Sequence, residues 1–351
     1  MSTLPVIAAL GAGRMGRGIA HAFAYAGHEV RLIDAKPRST ADAQRLGGDA
    51  LAEIDANLKT VAELGAFDDR ERPAILARVR FVPRAAAAAA LAALTRADFV
   101  FEGVPEVMQA KREALDFACA HLKPDAIVAS TTSTFLVTEL AAIAPHPERF
   151  LNAHWLNPAY IIPLVELSPH EGTSPEATAR LKSLLEAIGK VPVVCKAAPG
   201  YIVPRLQTLV MNEAARMVEQ GVASPEDIDR ACRYGFGFRY ANMGLVEFID
   251  FGGNDTLYYA SRYLAEALDD PRFAPPEIVV RHMNEGANGP RDGKGFYDWA
   301  SVDAAAYRQE VLSRLVGMLR YSGHLRAPGS ALATDSMGSK GIAVKAPSSR
   351  G

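Results

Sequence analysis

VIAALGAGRMGRGIAHAFAYAGHEVRLID, residues 6–34, is the stretch that decides the fold of this chain. It contains an apolar strand pattern, a glycine-rich turn, an alanine-rich helical pattern and a second apolar strand pattern. Gly11 permits the tight turn, Gly13 lets the backbone approach a pyrophosphate, and Gly16 lets the helix pack closely on the strand. Free N–H groups and the positive dipole end of the helix suit phosphate groups. This order predicts a dinucleotide-binding unit with Gly11, Gly13, Met15 and Gly16 at the cofactor.

An acidic residue ends the second strand pattern of this unit. Asp34 lies 23 residues beyond Gly11, at the spacing where a carboxylate accepts both hydroxyls of the adenosine ribose. The same carboxylate would repel a 2′-phosphate, so it favours NAD over NADP. Lys36 and Arg38 follow closely and weaken that preference a little.

Composition limits the remaining possibilities. The chain has 351 residues, 49% of them hydrophobic, and a net charge of −2, so no basic excess attracts nucleic acid or an acidic membrane surface. Its three cysteines, Cys119, Cys195 and Cys232, are too few and too far apart for a disulfide framework or a metal cluster. Neither a signal-peptide pattern nor an apolar run of membrane-spanning length is present. We therefore expect a cytoplasmic protein with a small-molecule substrate and no metal.

Periodicity along the chain predicts two domains and a tail. Strand patterns alternate with helical patterns through residues 1–197, which predicts a Rossmann-type, doubly wound and mostly parallel sheet. Two helical patterns, at about 39–65 and about 69–78, interrupt that alternation and indicate an insertion. Only helical patterns remain in residues 198–322, one of them at about 225–234, so an all-helical second domain is expected. Residues 323–351 are rich in Gly, Ser, Ala and Pro and are expected to be disordered.

Three residues near predicted strand ends could carry chemistry, because ligands of open α/β sheets bind at the carboxyl ends of the strands. Ser133 follows one strand, His154 ends the next, and Glu166 lies in a third. A histidine beside a hydroxyl, with a carboxylate on its far nitrogen, can remove a hydroxyl proton while hydride leaves the same carbon. Each residue alone also has a structural interpretation, as a core histidine, a helix cap or a paired carboxylate. Together they favour the functional one.

The sequence resembles the 3-hydroxyacyl-CoA dehydrogenase family over roughly residues 5–300. The spacing of 21 residues from Ser133 to His154, and of 12 from His154 to Glu166, agrees with that family. The motifs that carry the resemblance are GAGRMGRGIA (11–20), FEGVPE with a later lysine (101–111), ASTTSTFLVTELA (129–141), RFLNAHWLNPAYIIPLVEL (149–167), PGYIVPRL (199–206), SPEDIDRA (224–231) and GKGFYDW (293–299).

The resemblance implies catalytic roles for four residues. His154 is similar to the family's general base toward the 3-hydroxyl, and Glu166 to the carboxylate that orients it. Ser133 is similar to the hydroxyl that binds the reacting oxygen. Asn157 matches the asparagine that helps shape the substrate pocket.

The resemblance also implies cofactor contacts and an assembly. Glu106 and Lys111 match positions that line the NAD site, although they could also be an ordinary i, i+5 pair of solvated charges on one helix. The helical domain resembles the family's dimerisation domain, so a homodimer is implied.

Some features depart from the family pattern. Pro204 replaces an asparagine near the substrate carbonyl, and Thr131 replaces another asparagine in the serine-rich turn. The insertion has several acids and only scattered Arg45, Lys59 and Arg70, whereas relatives that bind CoA tend to be basic there. These departures bear on the CoA moiety rather than on the fold.

The substrate therefore has more than one interpretation. The leading one is a short 3-hydroxyacyl-CoA, such as 3-hydroxybutyryl-CoA in fatty acid metabolism, oxidised to the 3-keto product; GKGFYDW is typical of that branch. The stretches at 157–170 and 237–241 look more like the branches acting on free polar 3-hydroxy acids or related alcohols, such as L-gulonate and L-carnitine. A minor third interpretation is a non-catalytic NAD-binding protein, because fold alone does not establish chemistry.

Overall fold

An eight-stranded sheet organises the first part of the molecule. The computed structural model describes residues 4–328. The strand order is β3-β2-β1-β4-β5-β6-β7-β8, and all neighbours are parallel except β6 and β7. The predicted doubly wound, mostly parallel fold is therefore confirmed. The strands are β1 (Ile7–Leu10), β2 (Val30–Ile33), β3 (Val79–Val82), β4 (Phe99–Glu102), β5 (Ile127–Ser130), β6 (Phe150–Trp155), β7 (Leu164–Pro169) and β8 (Val191–Val194).

Burial explains why the central strands are mostly apolar. Every residue of β1, β2, β4 and β5 is buried, since helices cover both faces of a parallel sheet. One apolar core lies on each face of the sheet. The antiparallel pair β6–β7 places His154 directly opposite Glu166, so their side chains project from the same face.

Helices connect the strands of this unit. The predicted insertion between β2 and β3 forms a 24-residue helix, a 3-10 turn at Asp69–Glu71 and a short helix. The short helix begins at Arg72 with Pro73 in its first turn, so the helical stretch expected at about 69–78 consists of a 3-10 turn followed by a short α-helix. The helices are α1 (Arg14–Tyr25), α2 (Thr40–Glu63), α3 (Arg72–Leu76), α4 (Ala87–Arg96), α5 (Met108–Cys119), α6 (Val137–Ala141) and α7 (Pro175–Ala187).

The later part of the described chain is helical. After Val194 the described residues form only isolated β-bridges and no further strand. The helix expected at about 225–234 instead ends at Ala231 and continues as a π-helix, Cys232–Phe236. The helices are α8 (Val203–Glu219), α9 (Pro225–Ala231), α10 (Gly237–Tyr240), α11 (Leu245–Gly252), α12 (Asn254–Ala267), α13 (Glu277–Asn284) and α14 (Ala304–Tyr321).

The chain divides into two compact units, Met1–Glu213 and Ala214–Gly351. This division falls inside α8, whereas the sequence pattern changes near residue 197, where the sheet has ended. The disorder expected for residues 323–351 concerns mostly residues 329–351, which lie outside the described part of the chain. No helix among the described residues is both long and apolar enough to cross a membrane.

Gly16 provides a test of how tightly α1 packs on the glycine turn. A Cβ atom at Gly16 would lie 1.9 Å from the Gly11 carbonyl oxygen. Gly16→Ala should therefore lower the free energy of unfolding by about 1–3 kcal/mol, the usual cost of overpacking. Gly48→Ala is the matched control, because a Cβ there meets nothing within 4 Å and alanine favours an exposed helix. Urea denaturation measures both; equal stability of the two variants would contradict this packing.

Candidate active site

The glycine turn between β1 and α1 forms one end of the site. Gly11 adopts a φ of +108°, and a Cβ there would lie 2.8 Å from the Gly103 carbonyl oxygen after β4. Gly13 precedes α1, no side chain caps that helix start within the described residues, and a Cβ at Gly13 would meet nothing within 4 Å. The backbone at the start of α1 is therefore open to a ligand, as a pyrophosphate requires.

Asp34 lies at the end of β2 and lines the same cavity, whose volume is about 540 Å³. Its side chain is largely buried, and its carboxylate accepts hydrogen bonds from the Lys36 backbone N–H at 3.1 Å and from Arg38 Nε at 2.9 Å. The Arg38 side chain is partly exposed and also lines the cavity. The Asp34 carboxylate is therefore held by the loop that follows it, with the Arg38 guanidinium beside it.

His154 and Glu166 form a buried pair across β6 and β7. His154 Nδ1 donates to Glu166 Oε2 at 2.8 Å, and His154 lines the cavity while Glu166 lies fully buried behind it. This hydrogen bond fixes the proton on Nδ1 and leaves Nε2 as the basic nitrogen. The antiparallel register produces this contact directly, because the two residues are opposite each other.

The other oxygen of Glu166 contacts the start of α8. Glu166 Oε1 accepts hydrogen bonds from the backbone N–H groups of Ile202 and Val203, at 2.9 and 2.8 Å. A helix N-terminus favours negative charge through its dipole. With three donors around it, the carboxylate is fully engaged and cannot rotate away from His154 without losing hydrogen bonds.

Tyr201 is a site residue that the sequence reasoning missed. Its ring stacks on the His154 imidazole with centroids 4.8 Å apart and planes 12° apart. Its hydroxyl donates to the Thr132 carbonyl at 2.9 Å and accepts from Asn152 Nδ2 at 3.0 Å. Burial raises the pKa of Tyr201 well above its ordinary value, so the hydroxyl remains a donor. The available signal was an aromatic residue within PGYIVPRL.

The turn after β5 is held by Glu106. Glu106 accepts from the Ser133 backbone N–H at 2.9 Å and from Thr132 Oγ1 at 2.8 Å, and Ser133 Oγ lies 3.5 Å from the same carboxylate. Burial alone would raise the pKa of Glu106, but these hydrogen bonds and the charge of Lys111 outweigh it and lower that pKa. Ser133 is exposed at the cavity wall.

Lys111 is a buried residue of α5. Its ammonium group contacts Glu102 Oε2 at 3.1 Å and Glu106 Oε2 at 3.5 Å. Glu102 is fully buried and also accepts from Ser130 Oγ at 2.5 Å. The alternative of a solvated pair on one helix is wrong, because Glu106 precedes α5 and Lys111 is shielded from solvent.

The cavity brings together most of the residues singled out from the sequence. Gly16, Lys111 and Glu166 lie behind its wall and contact residues of the wall instead. Among the described residues, no cluster of three or more His, Cys, Asp or Glu side chains could hold a metal ion. The predicted residues that line the cavity are Gly11, Gly13, Met15, Asp34, Glu106, Ser133, His154 and Asn157.

The fold and this cavity define an NAD-dependent oxidoreductase: an open helix start beyond a glycine turn fits the pyrophosphate, and an anchored acid at the end of β2 fits the ribose. Two family models match the chain: "3-hydroxyacyl-CoA dehydrogenase, NAD binding domain" over residues 6–198 and "3-hydroxyacyl-CoA dehydrogenase, C-terminal domain" over residues 200–299. The chain belongs to the 3-hydroxyacyl-CoA dehydrogenase family, as the sequence motifs predicted.

Individual relatives agree with this assignment. A 3-hydroxybutyryl-CoA dehydrogenase of Bradyrhizobium diazoefficiens is 34% identical over 84% of this chain and 94% of its own. An L-carnitine dehydrogenase of Pseudomonas putida is 30% identical over 92% of this chain and 96% of its own. The crystal structure of a 3-hydroxyacyl-CoA dehydrogenase of Archaeoglobus fulgidus is 31% identical, with a TM-score of 0.72 over 92% of this chain and 100% of its own.

The place of Asp34 yields a test of cofactor selection. Asp34→Ser should weaken NADH binding and strengthen NADPH binding, because the repulsive charge is lost and Arg38 is released toward a 2′-phosphate. We expect the preference for NADH to fall at least about tenfold, which corresponds to about 1.4 kcal/mol. Dissociation constants from fluorescence titration measure it. Asp42→Ser, at an exposed acid of α2, is the control; an unchanged preference in Asp34→Ser would contradict the assignment.

Proposed function

We propose that this protein uses NAD to oxidise the 3-hydroxyl of a short 3-hydroxyacyl-CoA, such as 3-hydroxybutyryl-CoA, to the 3-keto product. The observation that carries this proposal is the 2.8 Å hydrogen bond between His154 and Glu166 at the cavity wall. It supplies the oriented base that alcohol oxidation needs, next to a site for the hydride acceptor. The similarity to a 3-hydroxybutyryl-CoA dehydrogenase supports the substrate class.

In this proposal His154 is the general base. Its Nε2 accepts the proton of the 3-hydroxyl while the C3–H bond breaks, so the carbon becomes a carbonyl. Bound NAD supplies the hydride acceptor. Glu166 stabilises the imidazolium that forms, through its bond to Nδ1. In the reverse direction the imidazolium returns the proton to the forming hydroxyl.

Ser133 and Asn157 complete the substrate side of the cavity. The Ser133 hydroxyl is assigned to the reacting oxygen, and its backbone is held by Glu106 at 2.9 Å. Asn157 follows β6 on the cavity wall and is assigned to the shape of the substrate pocket. A hydroxyl carried on a backbone that is fixed before reaction needs little reorganisation as charge develops on the oxygen.

The remaining assigned residues would hold NAD. The turn of Gly11, Gly13 and Gly16, together with Met15, would receive the pyrophosphate, and Asp34 the adenosine ribose. Glu106 lines the cavity and would face the cofactor, whereas Lys111 would act by holding Glu106 from behind. We assign residues 1–197 to cofactor binding and residues 198–322 to substrate binding and dimerisation.

A second candidate substrate is a free polar 3-hydroxy acid or related alcohol. It is favoured by the insertion, where Arg45 pairs with Asp42, Lys59 with Glu63 and Arg70 with Asp68. These exposed cations already have acidic partners, so they offer less to the phosphates of CoA. Pro204 also supplies no amide side chain for a thioester carbonyl. The similarity to an L-carnitine dehydrogenase points the same way.

Turnover with two substrate classes distinguishes the candidates. NAD reduction is measured with 3-hydroxybutyryl-CoA, L-carnitine and L-gulonate, for the wild type and for Pro204→Asn. The leading proposal requires the highest kcat/KM with the CoA substrate, and an increase in Pro204→Asn if thioester recognition uses an amide there. Higher kcat/KM with a free acid would establish the second candidate. Turnover of any of them excludes a non-catalytic role.

His154→Gln tests the proposed base. The variant should keep its affinity for NADH but lose about 10²–10⁴-fold in kcat, the usual contribution of a positioned acid–base group. Glu166→Gln should lose less, because His154 remains. Steady-state kinetics and NADH titration measure these effects, with His146→Gln, at an exposed histidine, as the matched control. Near-normal kcat in His154→Gln would overturn the mechanism.

We further propose that the protein forms a homodimer. Helix α8 has no buried residue along its 17 residues, and large apolar side chains are exposed on α8 and α11. Such surface is usually covered in an assembly. The exposed apolar residues of these two helices are Leu206, Leu209, Val210, Met211, Val218, Leu245 and Val246.

Light scattering tests the dimer. We expect about 75 kDa at micromolar concentration, twice the 37.6 kDa of one chain. The double variant Leu209→Glu with Met211→Glu should shift the mass toward one chain, because it replaces two of the most exposed apolar side chains of α8 by charges. Leu64→Glu, which is 80% exposed after α2, is the control. A wild-type mass of about 38 kDa would refute the proposal.

A further inference from the structure

The backbone at Tyr201 has an unusual conformation. Gly200 and Tyr201 lie between β8 and α8 with φ values of +78° and +47°. Glycine adopts this left-handed region freely, but a bulky aromatic residue rarely does. Such a conformation persists where surrounding contacts over-determine it. The contacts of Tyr201 must therefore stabilise this conformation.

The aromatic ring of Tyr201 covers one face of the His154 imidazole. The two rings are nearly parallel, with centroids 4.8 Å apart. The bond from Nδ1 to Glu166 fixes one nitrogen of the imidazole but still permits the ring to tilt about that bond. A stacked ring opposes such tilting. Its π face also attracts the imidazolium that forms when the base takes up a proton.

The hydroxyl of Tyr201 reaches the turn that carries Ser133. It donates to the carbonyl of Thr132 at 2.9 Å and accepts from Asn152 at 3.0 Å. Thr132 directly precedes Ser133, and Asn152 lies two residues before His154 on the same face of β6. A single buried side chain thus contacts the base with its ring and the adjoining turn with its hydroxyl.

The turn that contains Tyr201 also directs donors at Glu166. The N–H groups of Ile202 and Val203, the two residues that follow, bind Glu166 Oε1. The left-handed turn therefore serves two purposes at once. It places the ring of Tyr201 against His154 and starts α8 at the carboxylate behind that histidine.

We infer that Tyr201 is a positioning residue that holds the imidazole plane of His154 and the Ser133 turn in one arrangement. The inference rests on the proposed function, in which His154 is the base and Ser133 binds the reacting oxygen. Tyr201 itself is absent from the lining of the NAD cavity, so its effect should fall on the chemical step rather than on cofactor binding.

Two substitutions separate the ring from the hydroxyl. Tyr201→Leu removes both, and we expect kcat to fall about 10²-fold, the loss typical of a misplaced reacting group. Tyr201→Phe keeps the ring and should remain within about tenfold of the wild type, since it loses only hydrogen bonds. KM for the hydroxy substrate and Kd for NADH should change much less than kcat. Tyr25→Phe, at a partly exposed tyrosine outside the cavity, is the matched control.

A spectroscopic readout tests the stack without any turnover. Protons above an aromatic ring are shielded, so the His154 ring protons should resonate upfield in the wild type. Histidine labelled at Cε1 gives up to eight signals, and His154→Gln identifies the relevant one. The signal should move downfield in Tyr201→Leu and stay near its wild-type position in Tyr201→Phe.

The outcomes separate this inference from the proposed function. A wild type that oxidises no 3-hydroxy substrate defeats the proposed function, whereas the histidine signal still reports whether Tyr201 holds His154. An unmoved signal in Tyr201→Leu overturns the inference, as does a kcat equal to that of the wild type. Equal losses of kcat in the Leu and Phe variants, or a matching loss of NADH affinity, would also overturn it.

Discussion

The Glu166 carboxylate is the constraint on which the site depends. It is fully buried, and its two oxygens contact His154 on one side and the first N–H groups of α8 on the other. Burying a charge without partners is costly, so these contacts must form together. The antiparallel pair β6–β7 provides the register that makes them possible. The orientation of His154, the packing of β6 on β7 and the start of α8 therefore all depend on the Glu166 carboxylate.

A second buried group of charged side chains supports the part of the cavity wall formed by Glu106 and Ser133. Glu102, at the end of β4, binds Lys111, and Lys111 also contacts Glu106, which holds the backbone of Ser133. Charges with several close partners keep their geometry because moving one leaves another unpaired. The loop that carries Glu106 thus resists displacement from the cavity. In both places, buried charges with partners inside the protein hold groups that line the cavity, His154 in one case and Glu106 in the other.

Local patterns carried much of the fold and part of the site. The glycine turn, Asp34 and the alternation of strands and helices are encoded by contiguous residues, so the Rossmann sheet, NAD and the family were predictable and are confirmed. Helix ends were less predictable: the expected helix at 225–234 passes into a π-helix at Cys232. A π-helix is formed by hydrogen bonds between residues i and i+5, and the apolar period of a sequence does not distinguish these from the i to i+4 bonds of an α-helix.

The sequence by itself determined the fold class and predicted a cofactor site at the glycine turn and the pairing of His154 with Glu166, because each rests on short-range spacing. Only the tertiary structure decided that Lys111 is buried between two carboxylates and that Tyr201 stacks on His154. The Tyr201 stack joins residues that are 47 positions apart. Lys111 is only 9 residues from Glu102, but its burial depends on the packing of α5 against β4. Local spacing specifies neither the packing between elements nor the burial that results from it.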